Sequence, residues 1–396
     1  MVGPNVGRVR LLHTSDWHLG RSLHRADLRD AQATFLDGLV EAVRSERVDA
    51  VLVAGDVYDR AVPPVDAVEL CESVLVRIRE AGARVVVISG NHDSARRLGF
   101  GSRLVDASGV HLRTRPGACA EPVVLSDRHG DVAVYGIPYL EPEAVRAELP
   151  PDPGEPGAEP PRGHAGVLGR ALGCIRADAA GRAGRTVVLA HCWVAGGAAS
   201  DSERDVSVGG VGAVSPGLFD GLTYTALGHL HGQQVLAPGL RYSGSPLAYS
   251  FSEAGHRKGS WLVELGPTGL GRVEHLPSPV PRRLSVLRGP LADLLGSPEH
   301  TALEDDWLSV TVTDPARPED AMARLRARFP HVLVLEWAPT GVAPDGRSYG
   351  SRVRGLDDLA VAGSFVEHVR HAPLDDDERA LLEEAFEAGR LAAATR

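Results

Sequence analysis

Five short apolar runs in this chain each end in residues able to bind a metal ion or move a proton. Val9–Thr14 leads into Asp16 and His18, and Ala50–Gly55 into Asp56 and Asp59. Arg84–Ile88 leads through Ser89 and Gly90 to Asn91, His92 and Asp93. Thr186–Ala190 delivers His191, and Tyr224–Gly228 delivers His229 and His231. Carboxylate oxygen mixed with imidazole nitrogen suits Mn²⁺, Fe²⁺ or Zn²⁺ better than Ca²⁺. There are too many ligands for one ion. Divided over two ions with one bridging carboxylate, they form a site for in-line displacement at phosphorus, with the ions ~3.5–4 Å apart. Each motif alone is weak: Asp-x-His arises by chance, a lone histidine usually packs, and Gly-Asn is a common turn dipeptide. Their order carries the reading, together with their position directly after apolar strands.

The elements that must position them are plain in the periodicity. The β-branched run before Gly90 reads as a buried, parallel-type strand whose carboxyl end carries the site. Asp30–Glu46 places Phe35, Leu36, Leu39, Val40 and Val43 on one helical face, and a second helix runs from Pro63-Pro64 to about Ala81. Strand, helix, strand, helix, strand predicts a parallel sheet. Leu149–Gly163, rich in Pro, Gly and acids, reads as an exposed loop, and Gly166–Ala180 as a helix. Gly196–Gly212 reads as a long surface loop over the sheet edge. Val235–Leu276 reads as antiparallel strands closing the domain. The expected division is residues 1–278, a small α+β unit at 279–340, a linker at 341–356, and two helices within 357–396.

Asp-x-His, Gly-Asp-x-x-Asp, Gly-Asn-His-Asp, a single strand-end His, and Gly-His-x-His in this order resemble the calcineurin-like metallophosphoesterases. Within them, Thr14–Arg21, Leu227–His231, Arg241–Pro246, Phe251-Ser-Glu253 and Lys258 resemble the SbcD-type DNA nuclease subunits. The likeness is strong from Val9 to about Leu276 and is one of layout beyond. It implies an α/β/β/α sandwich with a small α+β capping domain over DNA and C-terminal helices. It implies one metal held by Asp16, His18, Asp56 and His231, and another held by Asp56, Asn91, His191 and His229, with Mn²⁺ the expected ion. His92 matches the family's catalytic histidine, acting on the departing sugar oxygen. Asp93 either orients the His92 ring or caps a turn. Asp59 is expected to support the site from behind the ligands. Arg21, His24 and Arg96, with Arg97, are candidates to face a phosphate backbone. The implied activity is 3′→5′ exonuclease action on duplex ends with endonuclease action on hairpins. The implied partners are DNA, a coiled-coil SbcC-type ATPase bound by residues 357–396, and a second copy of the chain within a heterotetramer.

Composition sets the rivals. A net charge of −10 over 396 residues argues against a free-standing non-specific nucleic-acid binder, although metal ions and a basic partner supply phosphate grip locally. No apolar run approaches the ~18 residues of a membrane helix, and the start of the chain has no apolar leader pattern. Cys71, Cys119, Cys174 and Cys192 are scattered without a CxxC pair, which fits a reducing cytoplasm, and the resemblance implies association with the nucleoid there. A small-substrate phosphoesterase shares the metal motifs but does not need the region after Pro277. A catalytically silent scaffold does not need the intact ligand set.

Overall fold

The computed structural model describes residues 7–155, 157–159, 161–182, 184–203, 212–340, 356–370 and 373–394. The expected linker at 341–356 and the stretch 204–211 of the Gly196–Gly212 loop lie almost wholly outside the described residues. The chain divides into two compact units, Met1–Arg283 and Leu284–Arg396.

In the first unit, β1 (Val9–Thr14) is followed by the two-residue strands β2 (Ser22–Leu23) and β3 (Ala26–Asp27), then α1 (Arg29–Ser45), β4 (Ala50–Ala54), α2 (Val65–Glu80) and β5 (Arg84–Ile88). Two single-turn helices, α3 (Ala95–Leu98) and α4 (Ser102–Val105), lead to β6 (Val110–Leu112), β7 (Val123–Asp127) and β8 (Gly130–Ile137). After the short α5 (Pro142–Val145) come α6 (Gly163–Ala180), β9 (Gly184–His191), β10 (Tyr224–Gly228), β11 (Gln234–Ala237), β12 (Leu240–Tyr242), β13 (Gly259–Gly266) and β14 (Gly269–Pro277).

These strands make two six-stranded sheets, ordered β14-β13-β1-β4-β5-β6 and β11-β12-β10-β9-β8-β7. Successive side chains on a strand point to opposite faces, so alternate residues join different cores. Leu11, Leu52, Val86 and Ile88 meet Val134, Val187, Leu189 and Ala226 between the sheets. Leu12, Val51, Val53, Val85 and Val87 instead pack outward against α1 and α2 through Phe35, Leu39, Val74 and Ile78. On the far side, α6 covers Tyr135, Val188 and Leu227 with Val167, Leu168, Leu172 and Ile175. The layering is therefore α/β/β/α, as the resemblance implies.

Polar contacts tie the two sheets together. At mid-height the buried His13 ring lies 2.9 Å from the Tyr224 hydroxyl and 3.1 Å from the Leu227 carbonyl oxygen. Burial drives its pKa down to about 3, so the ring is neutral, with Nε2–H donating to Leu227 and Nδ1 accepting from Tyr224. Toward the amino end of β1, Arg185 and Asp127 form a bidentate pair at 2.6 and 2.9 Å. Asp127 also accepts the Val9 N–H, and Arg185 donates to the carbonyl of Gly266.

The second unit opens with β15 (Leu284–Gly289), α7 (Leu291–Gly296), β16 (Trp307–Val312), α8 (Ala321–Arg328) and β17 (Val332–Trp337). The strands form one three-stranded sheet in the order β15-β16-β17, and both pairings are parallel. Parallel neighbours require long crossovers, which the helical segments supply. Leu287, Leu291, Leu308, Val310, Leu325 and Phe329 form its core. Helices at Asp358–Arg370 and Asp376–Ala394 follow. The Asp375 carboxylate accepts the Glu378 N–H and the Glu378 carboxylate accepts the Asp375 N–H, a reciprocal capping box at the start of the last helix.

Candidate metal centre

The carboxyl ends of β1, β4, β5, β9 and β10 bring the seven expected ligands together. Asp16, His18, Asp56, His191, His229 and His231 are all at most 3% exposed, and Asn91 is half-buried. His191 is the last residue of β9, and the other six follow their strands within a few residues. The turns that carry them are tight. Asp16, His18, Asp56 and His229 all have positive φ, at 53°, 45°, 50° and 108°, a region costly for side-chain-bearing residues. Such strain, on the order of 1–3 kcal/mol per residue, clusters where a structure holds a site in place. Two glycines let the backbones close in. A Cβ on Gly90 would lie 2.1 Å from Asp56 Oδ1, and one on Gly228 would lie 1.9 Å from the Ala54 carbonyl oxygen.

The ligand atoms fall into three overlapping groups, one of which joins His18, Asp59 and His92. Asp16, His18 and His231 offer atoms within 4.8 Å of one another, as do Asp16, Asp56 and His191. Asp56 Oδ2 stands 3.6 Å from both His18 Nε2 and His191 Nε2, the position of a bridging carboxylate. On one side His18 Nε2 and His231 Nε2 face each other at 3.0 Å. On the other, Asn91 Oδ1 lies 2.9 Å from His191 Nε2 and 3.2 Å from His229 Nδ1.

This donor set fits divalent cations. His191 Nδ1–H donates to the Ala54 carbonyl at 2.9 Å, so its Nε2 lone pair points at the Asn91 oxygen with no proton between them. Convergence of lone pairs in a buried pocket is stable only around positive charge. Burial drives His191 down to about 4 and holds His18 and His229 well below the usual histidine range, leaving neutral imidazoles able to ligate. Asp16 is pushed well above the usual carboxylate range by burial and by the neighbouring Asp56 charge. Two acids crowded out of water in this way need a cation to ionise together. His18 Nδ1 is buried without a hydrogen-bond partner, with Asp59 Oδ1 3.8 Å away. The clusters are thus able to hold two metal ions.

His92 stands at the rim, 6% exposed, with Nε2 4.0 Å from Asp56 Oδ2. Its N–H donates to Asp56 Oδ1 and its Nδ1–H to the Asp59 carbonyl, leaving Nε2 turned toward the ligand cluster. The reading of Asp93 as the group that orients His92 is corrected here. The Asp93 carboxylate accepts the N–H groups of Gly90, Val57 and Tyr58 at 2.9–3.1 Å, which joins the two strand-end loops, so the turn-capping alternative is the one observed. Burial and the Asp56 charge push Asp93 up to about 7 against these bonds.

The substrate-facing candidates part ways. Arg21 lies over the Tyr249 ring at 5.1 Å, donates to the Ser202 carbonyl at 3.1 Å and sits 3.7 Å from Asp59, which makes it a brace inside the site. His24 is exposed and stacks at 5.5 Å on Phe251, and Arg96 is fully at the surface, 4.0 Å from Glu148. The Gly196–Gly212 loop is also corrected: its described part enters the site. Ser202 is buried, its Oγ lies 2.7 Å from His231 Nδ1, and Glu203 accepts the His231 N–H at 2.7 Å. Polar composition reads as solvent exposure, yet here the polar groups serve a buried ligand. Ser202, Glu203 and the buried Glu253, which lies 3.2 Å from His231 Nδ1, are the site residues that sequence reasoning missed.

Residues 9–138 match the family described as calcineurin-like phosphoesterase. Residues 280–370 match the SbcD C-terminal family, described as Type 5 capsule protein repressor C-terminal domain. Asp16, His18, Asp56, Asn91 and His92 lie within the first match, whereas His191, His229 and His231 lie beyond it. Solved structures with some likeness include a dimetal phosphatase from Danio rerio, at 16% identity and TM-score 0.41, covering 69% of this chain and 99% of its own. Another is GAP50, the anchor in the inner membrane complex of Plasmodium, at 11% identity and TM-score 0.42, covering 85% and 99%. The layering and the ligand set accord with the match of residues 9–138 to the calcineurin-like phosphoesterases, and residues 280–370 are similar to the SbcD C-terminal domain.

Proposed function

We propose that this chain is the nuclease subunit of an SbcCD-type DNA repair complex, hydrolysing DNA phosphodiesters as a 3′→5′ double-strand exonuclease and hairpin endonuclease. The observation that carries the reading is the pairing of a two-metal ligand set with a C-terminal region similar to that of SbcD, which a small-substrate phosphoesterase does not need. Two divalent ions, Mn²⁺ in this reading, supply an activated water nucleophile and neutralise charge on the phosphoryl group. Asp16, His18, Asp56 and His231 hold one, and Asp56, Asn91, His191 and His229 the other. His92, fixed through Nδ1, presents Nε2 to the departing 3′-oxygen and gives it a proton.

The same reading assigns the last two helices to an SbcC-type coiled-coil ATPase. They leave Phe365, Val369 and Leu381 more than half exposed, an apolar face suited to a helical partner. It also assigns a homodimer, for which the largely exposed Phe100 and Leu104 are available apolar surface. No helix among the described residues is long and apolar enough to cross a membrane. The test is the purified chain with Mn²⁺ on linear duplex DNA and on cyclic nucleotides. Cleavage of the duplex is expected, and hydrolysis of cyclic nucleotides alone would overturn the assignment.

A further inference from the structure

His231 is enclosed in a ring of hydrogen bonds that begins and ends on it. Its Nδ1 lies 2.7 Å from Ser202 Oγ and 3.2 Å from Glu253 Oε1, and Ser202 Oγ in turn bonds Glu253. The other Glu253 oxygen takes a bond from the Lys258 ammonium. Lys258 then donates to Ser245 Oγ at 2.8 Å and to the His231 carbonyl oxygen at 3.0 Å, which closes the ring. Ser202 comes from one loop and Glu253 and Lys258 from another, and all are under 10% exposed. Proton bookkeeping has one consistent solution. Glu253 is ion-paired with the Lys258 ammonium, and as a carboxylate it only accepts. Ser202 therefore donates to Glu253 and accepts from His231 Nδ1–H. The remaining His231 nitrogen, Nε2, is then a lone pair aimed at His18 Nε2.

Lys258 is the only lysine in the chain, whose other strong bases are all arginine. A compact ammonium directs three donors to three acceptors around one point, whereas a guanidinium spreads five donors in a plane. The three acceptors here, Glu253, Ser245 and the His231 carbonyl, use all three. In the second cluster, His191 Nδ1 instead meets the backbone carbonyl of Ala54, with no carboxylate hydrogen-bonded to that nitrogen among the described residues.

We propose that Ser202, Glu253 and Lys258 are positioning residues that lock His231 as the Nδ1–H tautomer, and that they act on the Asp16/His18/His231 metal position and not on the Asn91/His191/His229 position. A carboxylate behind a ligating imidazole fixes its orientation and raises its basicity, and losing such a partner weakens a site roughly 10- to 100-fold. The inference rests on the two-metal reading of the site.

The test is Mn²⁺ titration of metal-free protein by calorimetry, with bound metal counted independently. Wild type should bind two ions. Glu253→Gln combined with Lys258→Met, which removes both buried charges together, should weaken one binding event roughly 10- to 100-fold and leave the other unchanged. Ser202→Ala should do the same more mildly, and Ser202→Thr, which keeps the hydroxyl, should restore it. His191→Asn should weaken the other event. A wild type that binds fewer than two ions overturns the two-metal reading itself. Two ions in wild type with both events unchanged, or both weakened alike, in the folded Ser202→Ala and double variants overturns the positioning role alone.

Discussion

The His92 ring takes its orientation from the backbone of Asp59, whose carbonyl oxygen accepts the Nδ1–H at 2.8 Å. A main-chain acceptor survives substitution of the side chain that follows it. Asp59→Ala should therefore retain most activity, whereas His92→Gln should lower kcat roughly 10²- to 10⁴-fold, the worth of a general acid. Metal content should be unchanged in His92→Gln, since that variant keeps all seven residues assigned to the two ions. Steady-state kinetics beside metal analysis decides the matter, and equal losses in the two variants would refute the backbone assignment.

Metal ions should stabilise the fold strongly. Asp16 and Asp56 crowd two acids into one buried pocket, and bound cations relieve that repulsion. At one hundred times Kd, each site adds about 2.7 kcal/mol by mass action. Thermal melting should shift upward on adding Mn²⁺ and return with a chelator. His191→Asn should keep part of the shift, and Asp56→Asn, which removes the shared ligand, should lose nearly all of it.

Metal-free protein should weaken in mild acid. His13 and His191 are held neutral by burial, with pKa values of about 3 and about 4, while in the unfolded chain both protonate near 6.5. The unfolded state thus binds more protons below pH 6.5, and stability falls as pH drops from about 6.5 toward the folded values. Each ring should cost about 2 kcal/mol at pH 5 relative to neutral pH. Urea unfolding at pH 5 and 7.5 measures this, and His13→Gln, if folded, should shrink the difference by about 2 kcal/mol.

The Asp127–Arg185 pair should be costly to break. Both side chains are at most 6% exposed, and the pair joins β7 and β9 of one sheet to β1 and β13 of the other. Asp127→Ala leaves a buried guanidinium without its counter-charge, a loss of about 3–5 kcal/mol. Denaturant unfolding reads it directly, and a change under 1 kcal/mol would mean that water reaches Arg185.

Removing residues 357–396 should abolish retention of an SbcC-type ATPase in a pull-down. The Mn²⁺-dependent rise in melting temperature should persist, because every ligand lies in the first unit. Loss of both would show that the tail supports the fold and not a partner.

The layers and the ligands were legible because both follow from one periodicity. Apolar runs such as Ala50–Ala54 are buried on both faces, and a parallel strand can only deliver its polar residues at its end. What holds His231 was not legible. Ser202 lies some fifty residues before Glu253 and Lys258, and no repeat or spacing announces their contact. The available signals were the motif resemblance at Phe251-Ser-Glu253 and Lys258, which assigned them no role, and a single lysine in a chain rich in arginine. Asp93 misled for a related reason, since adjacency to His92 suggested a shared task. After the turn at Gly90, however, its carboxylate reaches back to the loop that follows β4.

The solitary lysine has a further consequence for labelling chemistry. With Lys258 only 7% exposed and its three N–H bonds engaged, the folded surface offers reagents that target side-chain amines almost nothing to react with. Acylation of that one amine therefore becomes a clock for opening of the core behind His231, readable by mass spectrometry as a single mass increment. Its rate should slow when Mn²⁺ is bound and quicken when Glu253 is replaced.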